Sequence, residues 1–243
     1  MMESLALTRL LNASLGAPVA AALHAVGVQA SPANVISDAF ALELLVTVCL
    51  IAFFVLVRLR LSVEKPGALQ HVAEMVHEFT GGQAEQVIGH GYERFQTFTT
   101  CIFYFVLLNN LIGLIPGLDT PTASPVVPLG IATLTFLYYN FHGLRVQGAF
   151  GYLKHFCGPV WWLIWLMLPV EIVSHLARIM SLTIRLYANM LASDLLTLSC
   201  FSIFPFAAPS IFLALHFLVS IIQSYVFMLL AMIYLSMAVA HEN

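Results

Sequence analysis

The chain has 243 residues, 60% of them hydrophobic and only 9% charged, against roughly 25% charged in an average soluble protein. So few charges cannot coat a soluble fold of this length, and a mean hydropathy of +0.93 points the same way, to an integral membrane protein. Nine Lys plus Arg against twelve Asp plus Glu give a net charge of −3, with no basic patch for nucleic acid, and the hydrophobicity excludes disorder over most of the chain.

Residues 1–34 are mildly amphipathic and rich in Ala and Leu. Arg9 ahead of an Ala/Val stretch is compatible with a signal peptide, but Asn12, Ser14, Pro18 and His24 interrupt it, and we read a helix lying on the membrane surface. Residues 35–243 form a single membrane domain. Its first span covers about 39–58 and is followed at once by Arg58, Arg60 and Lys65. The positive-inside rule puts this end in the cytoplasm and the N-terminus outside. Over 67–93, Glu74, Glu78, Glu85 and Glu93 alternate with Val72, Met75, Val76, Phe79, Val87 and Ile88. That pattern predicts an amphipathic cytoplasmic helix whose glutamates form a solvated face, with a bend at Gly81-Gly82.

The second span covers about 95–116. The loop that follows holds Asp119 and several prolines but no Lys or Arg, so it lies outside. A third span, about 126–142, returns the chain to the cytoplasm, where Arg145 and Lys154 lie in a loop. Trp161, Trp162 and Trp165 read as an interfacial aromatic belt. The last two spans, about 165–200 and 210–240, are separated by Pro205 and Pro209. A helix over 170–199 is ~45 Å long at 1.5 Å per residue, against a hydrocarbon layer of ~30 Å. Both helices therefore tilt steeply if each merely spans the layer. The expected architecture is an all-α membrane protein of five spans, the last two a long tilted hairpin, plus surface helices, with the C-terminus in the cytoplasm.

Cys49, Cys101, Cys157 and Cys200 are far apart and lack CxxC spacing, so neither a metal site nor a disulfide framework is expected. There is no GxxxxGK[ST] phosphate-binding loop. Chemistry concentrates instead in the fourth span, which carries Glu171, His175, Arg178, Arg185 and Asp194. Each charge at the centre of a bilayer costs about 2.5–3.5 kcal/mol even on lenient scales. Either these groups pair and brace the bundle, or they line an ion or proton path. Arg178 and Arg185, seven apart, share a helix face, as do Arg185 and Asn189, four apart. Asp194 is turned about 180° from Arg185 and cannot pair with it within the helix. Glu171 lies ~21 Å to one side of Arg185 and Asp194 ~13 Å to the other. Two half-paths separated by a fixed cation fit this layout; a continuous pore does not. His216, taken alone, reads as a core histidine with a satisfied hydrogen bond.

The stretch Ser181-Leu182-Thr183-Ile184-Arg185-Leu186-Tyr187-Ala188-Asn189-Met190 resembles the S-L-x-x-R-L-x-x-N-M signature of subunit a of F-type ATP synthases. Asn110 to Gly117 with Pro121 to Ser124, Gly151 to Phe156, and His216, Gln223 and Ile233 to Ala238 are similar to further segments of that family. The resemblance covers about residues 35–240. It implies a non-catalytic, proton-translocating stator subunit of a bacterial inner-membrane ATP synthase. Its partners would be the ring of c subunits, the peripheral-stalk b subunits and lipid, with no cofactor. Arg185 matches the arginine that discharges ring carboxylates. Arg stays protonated in proteins, and an opposite charge within ~4–6 Å lowers a carboxylate pKa. Asn189 and Gln223 match residues near that arginine. Asp194 and His216 match the acid and histidine of the outer half-channel, and Glu171 and Ser181 match the inner one, which His175 and Arg178 are placed to join. Asp38 and Glu43 lie at the outer end of the first span, as a feed to the outer entrance or as interfacial groups.

The sequence departs from the family at four places, one being Ile179-Met180, which replaces a proline-containing stretch before Ser181. Asp stands at 194 where Glu is usual, so a bridging water is one way for its shorter arm to reach His216. Ala188 stands where Gly is common, and Gly113 replaces an acid found in some members. Three rival readings come from other classes. A haem-binding subunit would use His142 and His155, yet Gly143, Arg145, Gly148, Gly151 and Lys154 lie between them. A secondary transporter should show repeated halves, and none is visible. A purely structural bundle predicts that Arg185→Ala lowers the amount of protein rather than proton flow.

Overall fold

The computed structural model describes residues 6–25, 35–62, 66–115, 118–157, 164–203 and 207–239. They form helices α1 (Ala6–Ala25), α2 (Asp38–Leu59), α3 (Ala68–Ile88), α4 (Glu93–Leu111), α5 (Val126–Cys157), α6 (Ile164–Ile203) and α7 (Ala207–Val239), with 3-10 turns at Ile112–Leu114 and Pro121–Ala123. An all-helical chain is what hydrocarbon demands, because a helix satisfies its own backbone groups. Among the described residues, four helices are long and apolar enough to cross a membrane: α2, α4 with its 3-10 turn, α6 and α7. The third expected span falls on α5, where Tyr138, Tyr139, Asn140 and His142 dilute the apolar run.

Within the N-terminal segment, α1 is helical over Ala6–Ala25 and is tied to the start of α2. Asn12 bonds both backbone groups of Ile36, at 3.0 and 3.2 Å, and the Thr8 hydroxyl donates to the Asp38 carboxylate. Ser37 caps α2 by accepting from the Phe40 N–H at 3.3 Å.

Two sequence expectations are corrected. First, α3 does not bend at Gly81-Gly82 but runs unbroken to Ile88. Gly81 is there for close approach: a Cβ would lie 2.5 Å from Gln96 Nε2 on α4. The chain turns later, at Gly89 with φ +79°, a conformation open to glycine. The four glutamates expected on the solvated face are all exposed. Second, the segment after residue 142 is not a loop. Helix α5 continues to Cys157, broken only at Gly148, whose φ of 71° and ψ of 159° are non-helical. Basic residues do not prevent a helix, and glycine supplies the break. Trp161 and Trp162 lie outside the described residues; Trp165 is exposed.

The core lies between α4, α5, α6 and α7, where Ile102, Val106, Ile131, Leu186, Met190 and Phe227 interlock. Ala132 and Ala231 there are fully buried; small residues let membrane helices approach closely. Helices α6 and α7 run antiparallel, since Asn189 meets Gln223 and Ser193 meets His216. Only 17% of the apolar window of α6 is buried, against 44% for α4 and α7, so α6 leaves most of its surface uncovered.

Candidate functional site

Helix α6 is continuous despite Pro169 near its start, so it holds its polar residues in fixed register. They fall into three groups along its length.

The first group surrounds His175, which is buried. Its Nε2 lies 3.4 Å from Glu171 Oε1, one turn earlier. Its Nδ1 lies 2.9 Å from the Tyr139 hydroxyl of α5, and the two rings stack. Tyr139 is itself buried, while Glu171 is partly exposed. Thus one face of the imidazole meets protein and the other meets an acid that reaches the surface. Arg178 does not extend this group; its guanidinium lies over the Tyr234 ring at 5.3 Å.

The second group is Arg185 with its neighbours. Arg185 Nη2 donates to Ser181 Oγ at 3.3 Å. Among the described residues, no carboxylate forms an ion pair with it. One turn on, Asn189 Nδ2 donates to Gln223 Oε1 of α7 at 2.9 Å. The predicted neighbours are therefore joined to each other, not hydrogen-bonded to the guanidinium.

The third group surrounds His216, which is 1% exposed. Its Nε2 lies 3.0 Å from the Asn110 carbonyl. A carbonyl only accepts, so Nε2 carries a proton and Nδ1 is the nitrogen that gains or loses one. Nδ1 faces Ser193 Oγ at 2.8 Å and Asp194 Oδ1 at 3.4 Å. In the neutral ring, Ser193 donates to Nδ1; in the charged ring, Nδ1–H donates outward and meets an ion-pair partner. Asp194 thus stands within ion-pair distance of its histidine despite its shorter arm. Thr120 Oγ1 donates to the same Oδ1 at 3.0 Å.

A cavity of about 300 Å³ opens between α6 and α7, lined by Asn189, Gln223 and Ser193 with Leu196, Leu215 and Val219. It connects the amide pair beside Arg185 with the serine on His216.

Sequence reasoning missed Thr120, Ser193, Tyr139 and the Asn110 carbonyl. Tyr139 left a signal as a polar aromatic in an apolar run. Thr120 left none, because its partner is 74 residues away. Asp38 is engaged by Thr8, and Glu43 is half-buried on α2. His142 turns its Nδ1 to the Tyr138 carbonyl of its own helix at 3.0 Å; the side chain of His155 lies outside the described residues. Among the described residues, no three His, Cys, Asp or Glu gather as a metal site.

The family model described as ATP synthase A chain matches residues 40–236. The chain is 50% identical to ATP synthase subunit a of Koribacter versatilis over 100% of both chains. It is 46% identical to that of Solibacter usitatus over 83% of this chain and 87% of the relative. With that of Bdellovibrio bacteriovorus the figures are 40%, 72% and 77%.

Proposed function

The chain belongs to the ATP synthase subunit a family, and from that premise we propose that it is the stationary proton-conducting subunit of a rotary F-type ATP synthase. It is a bacterial membrane protein with five spans, the third in chain order being the first half of α5. The N-terminus is outside and the C-terminus in the cytoplasm. Helix α6, with 40 residues, is ~60 Å long at 1.5 Å per residue and crosses a ~30 Å layer steeply tilted, paired with α7 as a hairpin.

A single observation carries the reading. Arg185 has no acid partner among the described residues of its own chain, while acid–histidine pairs flank it, Glu171–His175 within α6 on one side and Asp194–His216 between α6 and α7 on the other. A structural brace would pair its arginine. An arginine kept for a moving partner would not, and the partner is a carboxylate of the c ring. The large uncovered surface of α6 supports a ring packed against this helix.

Protons enter from outside past Asp194 and His216 and cross the cavity toward Asn189 and Gln223. There they load a ring carboxylate. The ring carries them round until the carboxylate meets Arg185 and discharges through Ser181, His175 and Glu171 to the cytoplasm. The permanent charge of Arg185 stabilises the ionised carboxylate and repels a proton moving straight across. The subunit catalyses no bond-making itself; ATP chemistry belongs to other subunits. The exposed glutamates of α3 suit contact with the b subunits of the peripheral stalk.

The test is ATP-driven acidification of inverted vesicles containing the whole complex. Arg185→Ala should assemble normally and fail to pump. Undiminished pumping by that variant would remove the mechanism.

A further inference from the structure

The turn between α4 and α5 reaches into the bundle. Thr120 is 3% exposed and Thr122 fully buried. Thr120 Oγ1 donates to Asp194 Oδ1 at 3.0 Å, the oxygen that also faces His216 Nδ1 at 3.4 Å. Two residues on, Thr122 Oγ1 donates to Asn110 Oδ1 at 2.6 Å, and the Asn110 carbonyl holds His216 Nε2 at 3.0 Å. One 3-10 turn therefore grips both members of the pair, the acid directly and the histidine through Asn110.

Gly113 makes room for this grip. A Cβ built on it would lie 1.9 Å from Thr120 Oγ1, closer than any non-bonded contact allows. The smallest side chain at 113 would occupy the place of the hydroxyl. The side chain of Thr120 is also stiff about χ1, because it is β-branched, so a hydroxyl placed there stays aimed.

We infer that Thr120 is a positioning residue that holds Asp194 against His216, and that Gly113 is the gap that admits it; this rests on reading Asp194 and His216 as the outer proton path. An aspartate at 3.4 Å from its histidine has little reach to spare. A rotation about χ1 carries its carboxylate away, and the Thr120 hydrogen bond opposes that rotation. The hydroxyl is bonded to Asp194 and the Arg185 guanidinium to Ser181, so Thr120 acts through Asp194.

The experiment uses the whole complex in inverted vesicles, with ATP-driven acidification normalised to assembled subunit a. Thr120→Val keeps the shape and removes the donor. It should pump about tenfold more slowly, the scale of losing one hydrogen bond to a charged group. Thr120→Ser keeps the donor and should pump within about twofold of wild type on the same scale. Gly113→Ala should reproduce the Val defect, yet cost much less on top of Thr120→Ala, where the displaced oxygen is gone and the nearest remaining atom is the residue 120 Cβ at 3.1 Å. The inference is overturned if Thr120→Val pumps like wild type, or if Thr120→Ser is as slow as Thr120→Val. Asp194→Asn separates the two levels. If it pumps normally, the outer-path reading itself falls. If it is dead while Thr120→Val is undiminished, only the positioning role falls.

Discussion

Asn189 on α6 donates its amide to the Gln223 carbonyl on α7 at 2.9 Å, one turn beyond Arg185. Gln223 is buried and Asn189 exposed, so the bond joins a fixed residue to one at the open face. It ties the two helices at the level of the arginine and sets how far apart they stand there. Asn189→Leu leaves the buried Gln223 carbonyl without its partner. We expect a cost of about 1–3 kcal/mol, seen as earlier thermal loss of subunit a from the detergent-solubilised complex. Exchanging the two residues, Asn189→Gln with Gln223→Asn, should recover most of it.

Arg185→Lys tests whether charge alone suffices. Lysine can lose its proton when buried and lacks the planar fork of donors. The variant should assemble to normal amounts but pump at less than roughly a tenth of the wild-type rate, since the loss falls on a charge-assisted contact. Vesicle acidification, with subunit a quantified on the same membranes, decides it.

Asp194 and His216 should behave as one unit. His216→Gln retains a donor for the Asn110 carbonyl and has no titrating nitrogen, so it should assemble and conduct poorly. Residues that share a proton are non-additive: adding His216→Gln to Asp194→Asn should lower proton flux by less than about twofold further. Multiplied defects would mean that the two act separately.

On the other side of Arg185, Tyr139→Phe removes the hydroxyl 2.9 Å from His175 Nδ1 while keeping the ring stack. A neutral hydrogen bond is worth about 1 kcal/mol, so we expect roughly a two- to fivefold loss of pumping with little change in assembly. Glu171→Gln should be more severe, because it removes the acid proposed as the proton exit to the cytoplasm.

Much of the site was legible because its residues are costly where they stand. An arginine, two acids and two histidines in apolar helices announce themselves by desolvation alone, and helical spacing separates Asp194 from Arg185. The groups that hold these residues were not legible. Thr120, Ser193 and Tyr139 are ordinary in composition, and their importance comes from contacts between helices distant in sequence. Gly81-Gly82 shows the same boundary. Read locally, paired glycines predict a bend; in the fold, Gly81 serves the approach of Gln96 and the helix stays intact. Likewise, Arg145 and Lys154 predicted a cytoplasmic loop, but charge does not distinguish a loop from a helix, and α5 continues to Cys157.

On the proposed outer path, the tether between His216 Nε2 and the Asn110 carbonyl constrains the traffic of protons. A ring anchored there cannot flip to pass a proton from one nitrogen to the other without giving up a buried bond. Whatever arrives at Nδ1 must depart from Nδ1. The imidazole then resembles a capacitor connected beside a line rather than a length of the wire: it stores charge briefly, smooths the supply to Asp194, and returns what it borrowed.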